Sequence, residues 1–144
     1  MSLIKSISGI RGTIGGNAGD GLSGIDIAKF ASAYAAFIRN GLDKESKNNS
    51  IVVGRDARLS GKMVEHIIVG SLLSMGFDVI NIGLASTPTT EIAVVEENAA
   101  GGIIITASHN PKHWNALKLL NSKGEFLSDK EGKEVLSLAE SLNF

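Results

Sequence analysis

Three short apolar runs separated by two segments of helical spacing constrain this chain more than any other feature. Ile51-Val52-Val53, Phe77 to Ile82 and Gly102 to Thr106 are strand-sized, β-branched and too short for helices. Between the first two, Ser60 can cap a helix carrying Met63, Val64, Ile67, Ile68 and Leu72, ending near Gly76. Between the second and third, Thr87-Pro88 reads as an N-cap with proline at the first helical position, opening a helix to about Asn98. Strand, helix, strand, helix, strand with short connections predicts parallel strands joined by right-handed crossovers.

The flanks extend this pattern. Leu22 to Asn40 repeats apolar residues at helical spacing, with Ser23 and Asp26 as a capping pair and Gly41 as a stop. Asp43 to Ser50 is polar and reads as a surface loop. Leu117, Leu119 and Leu120 lead into Ser122-Lys123-Gly124, a hairpin turn, so the strand before it is expected to run antiparallel to the others. Ser128 and Glu131 form a second capping box, opening a helix that carries Val135, Leu136, Leu138 and Leu142. No linker, low-complexity segment or repeat divides the 144 residues, which suit one domain.

In open α/β sheets ligands bind beyond the carboxyl ends of the strands, so the loops there are the places to look for chemistry. The most informative is Ala107-Ser108-His109-Asn110-Pro111, where a fully apolar strand ends abruptly in polar groups. Two readings stand side by side: a polar turn whose Ser and Asn bond their own backbone, or a placed hydroxyl nucleophile. An α/β-hydrolase elbow is excluded, because it needs glycines two positions either side of the serine and this chain has Thr106 and Asn110. Phosphoryl transfer fits better, since it needs a hydroxyl and nearby cations. A phosphoserine carries about −1.5 to −2 charges at neutral pH, and Arg11, His109, Lys112 and Lys118 are the candidates to offset it. Gly54 to Lys62 follows a strand as a P-loop does, but six residues separate its glycines and Met63 follows the lysine. Arg55, Asp56 and Arg58 read as a charge network bracing the serine loop. His66 reads as a surface residue.

Composition removes other classes. Lys and Arg (14) balance Asp and Glu (15), which argues against nucleic-acid and membrane-surface partners. There are no cysteines, so disulfides and thiolate chemistry are excluded, and a reducing cytoplasmic location is expected. No run is long and apolar enough for a signal peptide or membrane span.

Thr106-Ala107-Ser108-His109-Asn110-Pro111 resembles the phosphoserine loop of the α-D-phosphohexomutases, the phosphoglucomutases, phosphomannomutases and phosphoglucosamine mutases. Further segments match in order: Ser8-Gly9-Ile10-Arg11-Gly12 is similar to the family's G-I-R-G loop, and Val53 to Arg58 to its G-R-D-x-R segment. Thr87-Pro88-Thr89 is similar to its T-P segment, and Asn115 with Lys118 to N-G-x-K. The resemblance spans nearly the whole chain. The glycine of N-G-x-K is Ala116 here, and alanine would be strained there if the position needs a positive φ.

The resemblance implies a three-layer α/β/α first domain with a mixed, mostly parallel sheet of about four strands. It also implies the chemistry. Ser108, phosphorylated at rest, passes its phosphate to a sugar monophosphate, and the resulting hexose 1,6-bisphosphate reorients and returns its other phosphate. That bisphosphate also serves as activator. Lys118 is then the candidate general acid/base, a role lysine serves among other cations. His109 would fix the serine phosphate or a substrate hydroxyl, Arg11 would supply fixed charge, and Arg11, Asn110 and Lys118 would bind substrate phosphate. One phosphate oxygen on Ser108 would be a ligand of Mg²⁺. The six aspartates lie far apart and form no D-x-D-x-D run, so the remaining metal ligands are expected from a second domain and sugar recognition from a third and fourth. The chain is thus expected to be the phosphoserine domain of a longer parent, whose partners are a sugar phosphate and those further domains, and to be inactive alone. The alternative is a free-standing phosphate-binding or phosphoacceptor module, or a structural domain without activity.

Overall fold

The computed structural model describes residues 2–6, 9–42, 48–107 and 110–142. Ten elements follow in chain order: β1 (Ile4–Ser6), β2 (Gly9–Thr13), α1 (Gly24–Gly41), β3 (Ser50–Arg55), α2 (Gly61–Ser74), β4 (Asp78–Leu84), α3 (Thr87–Glu96), β5 (Gly101–Ile105), β6 (Trp114–Leu120) and α4 (Asp129–Ser141). They form one six-stranded sheet in the order β1-β2-β6-β5-β3-β4. β3 pairs in parallel with β4 and with β5, whereas the β5–β6, β6–β2 and β2–β1 pairings are antiparallel. Strands β2, β3, β4 and β5 therefore point one way and β1 and β6 the other. The sheet is mixed and mostly parallel, as expected, but it has six strands rather than about four. The two additional strands are the N-terminal hairpin β1–β2, which extends the sheet beyond β6. All of β1 is exposed, so no apolar run marks it.

The pleat divides the apolar side chains between two layers. Ile51, Val53, Ile103, Ile105, Leu117 and Leu119 face a large core closed by α1, α2 and α4. Val52, Ile104 and Leu120 face a smaller one shared with Val94 of α3. Both faces of β3 and β5 are thus buried, which explains their unbroken apolar runs. Burying each such side chain stabilises the fold by about 1.5–3 kcal/mol. One helix covers the second face where three cover the first, and it lies over β3 and β5. Tyr34 of α1 is fully buried and ties β5 to β6, accepting from the Gly102 N–H (2.9 Å) and donating to the Leu120 carbonyl (2.5 Å). Burial raises the pKa of its phenol, so it remains the neutral donor this bridge requires.

Local signals set most helix starts. Ser23 with Asp26 and Ser128 with Glu131 form complete capping boxes. α3 starts one residue earlier than Thr87-Pro88 suggests: Ser86 is the N-cap, accepting from the Thr89 N–H, because proline's missing N–H is tolerated throughout the first turn. At α2, Ser60 stands at the N-cap position but makes no side-chain capping bond. Its hydroxyl accepts instead from Asn115 Nδ2 at 2.9 Å, fastening the helix start to β6. After β6 the chain turns over residues 121–125, where Asn121 Oδ1 accepts from the Lys123 and Glu125 N–H groups and Gly124 takes φ +73°.

Candidate functional site

The carboxyl end of β3 anchors two networks that reach into neighbouring elements. In the first, Arg55 Nε donates to Glu65 Oε2 of α2 at 2.6 Å, and Glu65 Oε1 accepts from Asn81 Nδ2 of β4 at 2.9 Å. Burial alone pushes the Glu65 carboxyl up, but hydrogen bonds from Asn81 and Arg55 and the charges of Arg55 and His66 outweigh it and hold its pKa below the usual carboxylate range. A carboxylate whose folded pKa lies below its unfolded one contributes stability that is present above the unfolded pKa and lost as pH falls through the folded one. Thermal melts of the wild-type chain and Glu65→Gln should therefore differ at pH 6, and the difference should shrink as pH falls below 4.5, the unperturbed value. A pH-independent gap would show that ionisation of Glu65 is not what stabilises this corner.

The second network surrounds the loop that follows β5. Asp56 Oδ2 accepts from Thr106 Oγ1 at 2.7 Å, and the Asp56 N–H donates to the Ile105 carbonyl at 3.0 Å. Arg58 Nε lies 3.3 Å from Asp56 Oδ2. Its Nη1 donates to the carbonyls of Pro111 (2.7 Å) and Trp114 (3.2 Å), and its Nη2 to that of Asn110 (2.8 Å). The Asn110 N–H donates to the Ala107 carbonyl at 3.0 Å. Asp56 and Arg58 thus brace this loop, whereas Arg55, which shares their sequence pattern, ties β3 to α2 through Glu65 instead. A depression of about 630 Å³ beside it is lined by Asp56, Ala57, Arg58, Leu59, Asn110 and Lys112.

Two cations converge elsewhere on the sheet. Gly9 pairs with Lys118 and Arg11 with Ala116 across the β2–β6 ladder. Alternation along each strand puts all four on one face, opposite Ile10 and Leu117, which point into the larger core. With Ser6 they line a depression of about 350 Å³. Arg11 is exposed and Lys118 partly buried. Gly9 and Ala116 are the small residues that leave the space. Ala116 lies within β6 and is not among the described residues with positive φ, so alanine is unstrained where the related motif has glycine. Asn115, fully buried, bonds Ser60 and the Ala116 N–H, a role in packing β6 against α2.

Of the sequence candidates, Arg11 and Lys118 therefore meet in one depression, and Asn110 and Lys112 line another. Ser108 and His109 lie outside the described residues. Sequence reasoning misses Ser6, takes Gly9 only as part of the Ser8–Gly12 motif, and takes Ser60 only as a helix cap. The Gly-x-Arg alternation on β2 was the signal for Gly9, whereas Ser6 and Ser60 acquire their roles only through the fold. The described residues do not form a site for Mg²⁺: no three His, Asp or Glu side chains come together among them, and the Asp56 carboxylate is engaged by Thr106 and Arg58. Among the described residues no helix is long and apolar enough to cross a membrane.

Residues 3–144 match the family described as phosphoglucomutase/phosphomannomutase, alpha/beta/alpha domain I. A phosphoglucomutase/phosphomannomutase of Thermococcus kodakarensis is 46% identical over 94 residues, covering 65% of this chain and 20% of that protein. The phosphoglucosamine mutase of Helicobacter pylori is 38% identical over 128 residues, covering 88% of this chain and 28% of that protein. A Thermus thermophilus protein assigned as a phosphomannomutase superposes with a TM-score of 0.80 at 26% identity, covering 96% of this chain and 30% of its own. The chain thus spans less than a third of the length of these relatives. Fold, residue order and sequence agree, and the chain belongs to the phosphoglucomutase/phosphomannomutase family, matching its α/β/α domain I.

Proposed function

We propose that this chain is the phosphoserine domain of a phosphohexomutase, with Ser108 as the residue that gives and receives the phosphoryl group. The observation that carries the proposal is the meeting of Arg11 and Lys118, from distant parts of the chain, in one depression on the bare face of the sheet. Thr106, two residues before Ser108 in sequence, donates its N–H to the carbonyl of Ala116 in this depression, and two cations there supply what phosphoryl transfer asks of a protein, which is positioning and charge stabilisation rather than covalent novelty. In the forward step the bond from phosphorus to Ser108 Oγ breaks while a sugar hydroxyl oxygen bonds to phosphorus. Lys118 takes the hydroxyl proton and passes a proton to Ser108 Oγ as it departs, and the return step runs the same relay in reverse. Arg11 holds negative charge in place throughout, and Asn110 and His109 orient the phosphate. The sugar bisphosphate formed between the steps is the species that would also rephosphorylate Ser108.

Mg²⁺ would supply further charge neutralisation on the phosphate. Because the described residues offer no cluster for it, its protein ligands are assigned to the remainder of a longer parent, as are the groups that choose the sugar. The assignment makes a sharp prediction. Purified as 144 residues, the chain should give no measurable interconversion of hexose 1- and 6-phosphates in a coupled assay, while the parent reading frame continued past codon 144 should turn over. Robust turnover by the 144-residue chain would overturn the assignment of metal and sugar sites to other domains.

A further inference from the structure

Asp56 and Arg58 touch the chain on both sides of positions 108 and 109. On the entering side, Thr106 Oγ1 donates to Asp56 Oδ2 (2.7 Å). On the leaving side, Arg58 donates to the Asn110, Pro111 and Trp114 carbonyls. The two halves are joined because Arg58 Nε and its own backbone N–H both reach the Asp56 carboxylate, at 3.3 and 3.1 Å. The Asp56–Arg58 pair therefore holds the chain on both sides of positions 108 and 109, and the planar five-donor fork on the leaving side is a shape that lysine cannot copy. Its charge is compensated by Asp56 and its terminal nitrogens donate to three carbonyl oxygens, so a free phosphate would compete for it with the loop's own backbone.

We propose that Arg58, held by Asp56, is the positioning residue of the serine loop and not one of its anion-binding cations. The inference rests on the reading of Ser108 as phosphate carrier, and it divides the nearby cations into two kinds. Arg11 and Lys118 would meet the phosphate, whereas Arg58 fixes where the phosphate is presented. Positioning of this kind is where phosphoryl transfer gains most of its rate.

Backbone hydrogen exchange on the 144-residue chain tests it. The reporters are the Asn110 and Trp114 amides, which donate to Ala107 and Pro111 within the braced segment. In Arg58→Lys they should exchange about tenfold faster, as expected for losing hydrogen bonds to a charged group, while core amides of β3 and β5 keep their rates. Thr106→Val should do the same through Asp56, and Thr106→Ser, which keeps the hydroxyl, should restore wild-type exchange. Rates at Asn110 and Trp114 within about twofold of wild type in both Arg58→Lys and Thr106→Val would overturn the proposal. So would acceleration spread uniformly over the sheet, which is the mark of a general stability strut. Titrating inorganic phosphate into the wild-type chain should leave the Arg58 Nε resonance in place, and a saturable shift would instead make Arg58 an anion ligand. None of these readouts needs a phosphorylated serine. Their failure leaves the phosphoserine reading intact, and loss of that reading leaves them measurable.

Discussion

Ser108→Ala in the parent-length protein is expected to lower hexose phosphate interconversion by at least about 10⁴-fold, because a side chain that must carry the phosphoryl group cannot be replaced by one without a hydroxyl. The loss should fall on turnover, and saturating sugar phosphate should not restore it. Intact-protein mass spectrometry should show one phosphoryl group on the wild type and none on the variant. Retention of even a tenth of wild-type turnover would show that the phosphoryl group travels by another route. A free-standing phosphoacceptor module predicts a different pair of results: loss of the phosphoryl group with no mutase activity to lose. The same assay therefore separates the two readings.

Gly9→Ala is expected to cost about 3 kcal/mol of stability, at the upper end for inserting a methyl group into packed structure. A Cβ on Gly9 would fall well inside van der Waals contact of the Leu117 carbonyl oxygen and 3.2 Å from Lys118 Cα. These are backbone atoms of β6, so no side-chain rotation relieves the clash, and β2 must move away from β6. The displaced ladder is the one that sets Arg11 beside Lys118. Urea denaturation should show a lower midpoint with unchanged slope, and the parent protein should lose turnover beyond the loss of folded molecules. An unaltered midpoint would mean that β2 and β6 can slide apart without cost, and the depression would then be too loose to position charge.

Helix starts were readable where the information is local. The Ser23–Asp26 and Ser128–Glu131 boxes need only four consecutive residues, and both formed as their spacing implied. The β3 and β5 runs were equally plain, since burial on both faces leaves no polar residue to confuse their period. The N-terminal hairpin was not readable, because β1 is exposed and β2 takes its partner from the far end of the chain. Ser60 shows a similar limit: it occupies a capping position, but a buried Asn115 competes for its hydroxyl and wins. At the candidate site the residue types were legible and their grouping was not. Arg11 and Lys118 carry the right charges in the sequence, yet only the β2–β6 register makes them neighbours. The Arg-Asp-x-Arg run announced a brace, while the three carbonyls it holds depend on where the chain turns after β5.

The β2–β6 pairing also sets an order of events during synthesis. Gly9 and Lys118 are partners separated by more than a hundred positions. At about 10 residues per second, roughly ten seconds pass on the ribosome between making the first and making the second. Contacts between such distant residues bear the largest loop-closure cost and form late. The nascent chain can build its three parallel strands while its N-terminal segment still waits for a partner. The depression shared by Arg11 and Lys118 therefore assembles late, and a chain released before residue 118 is made carries none of it.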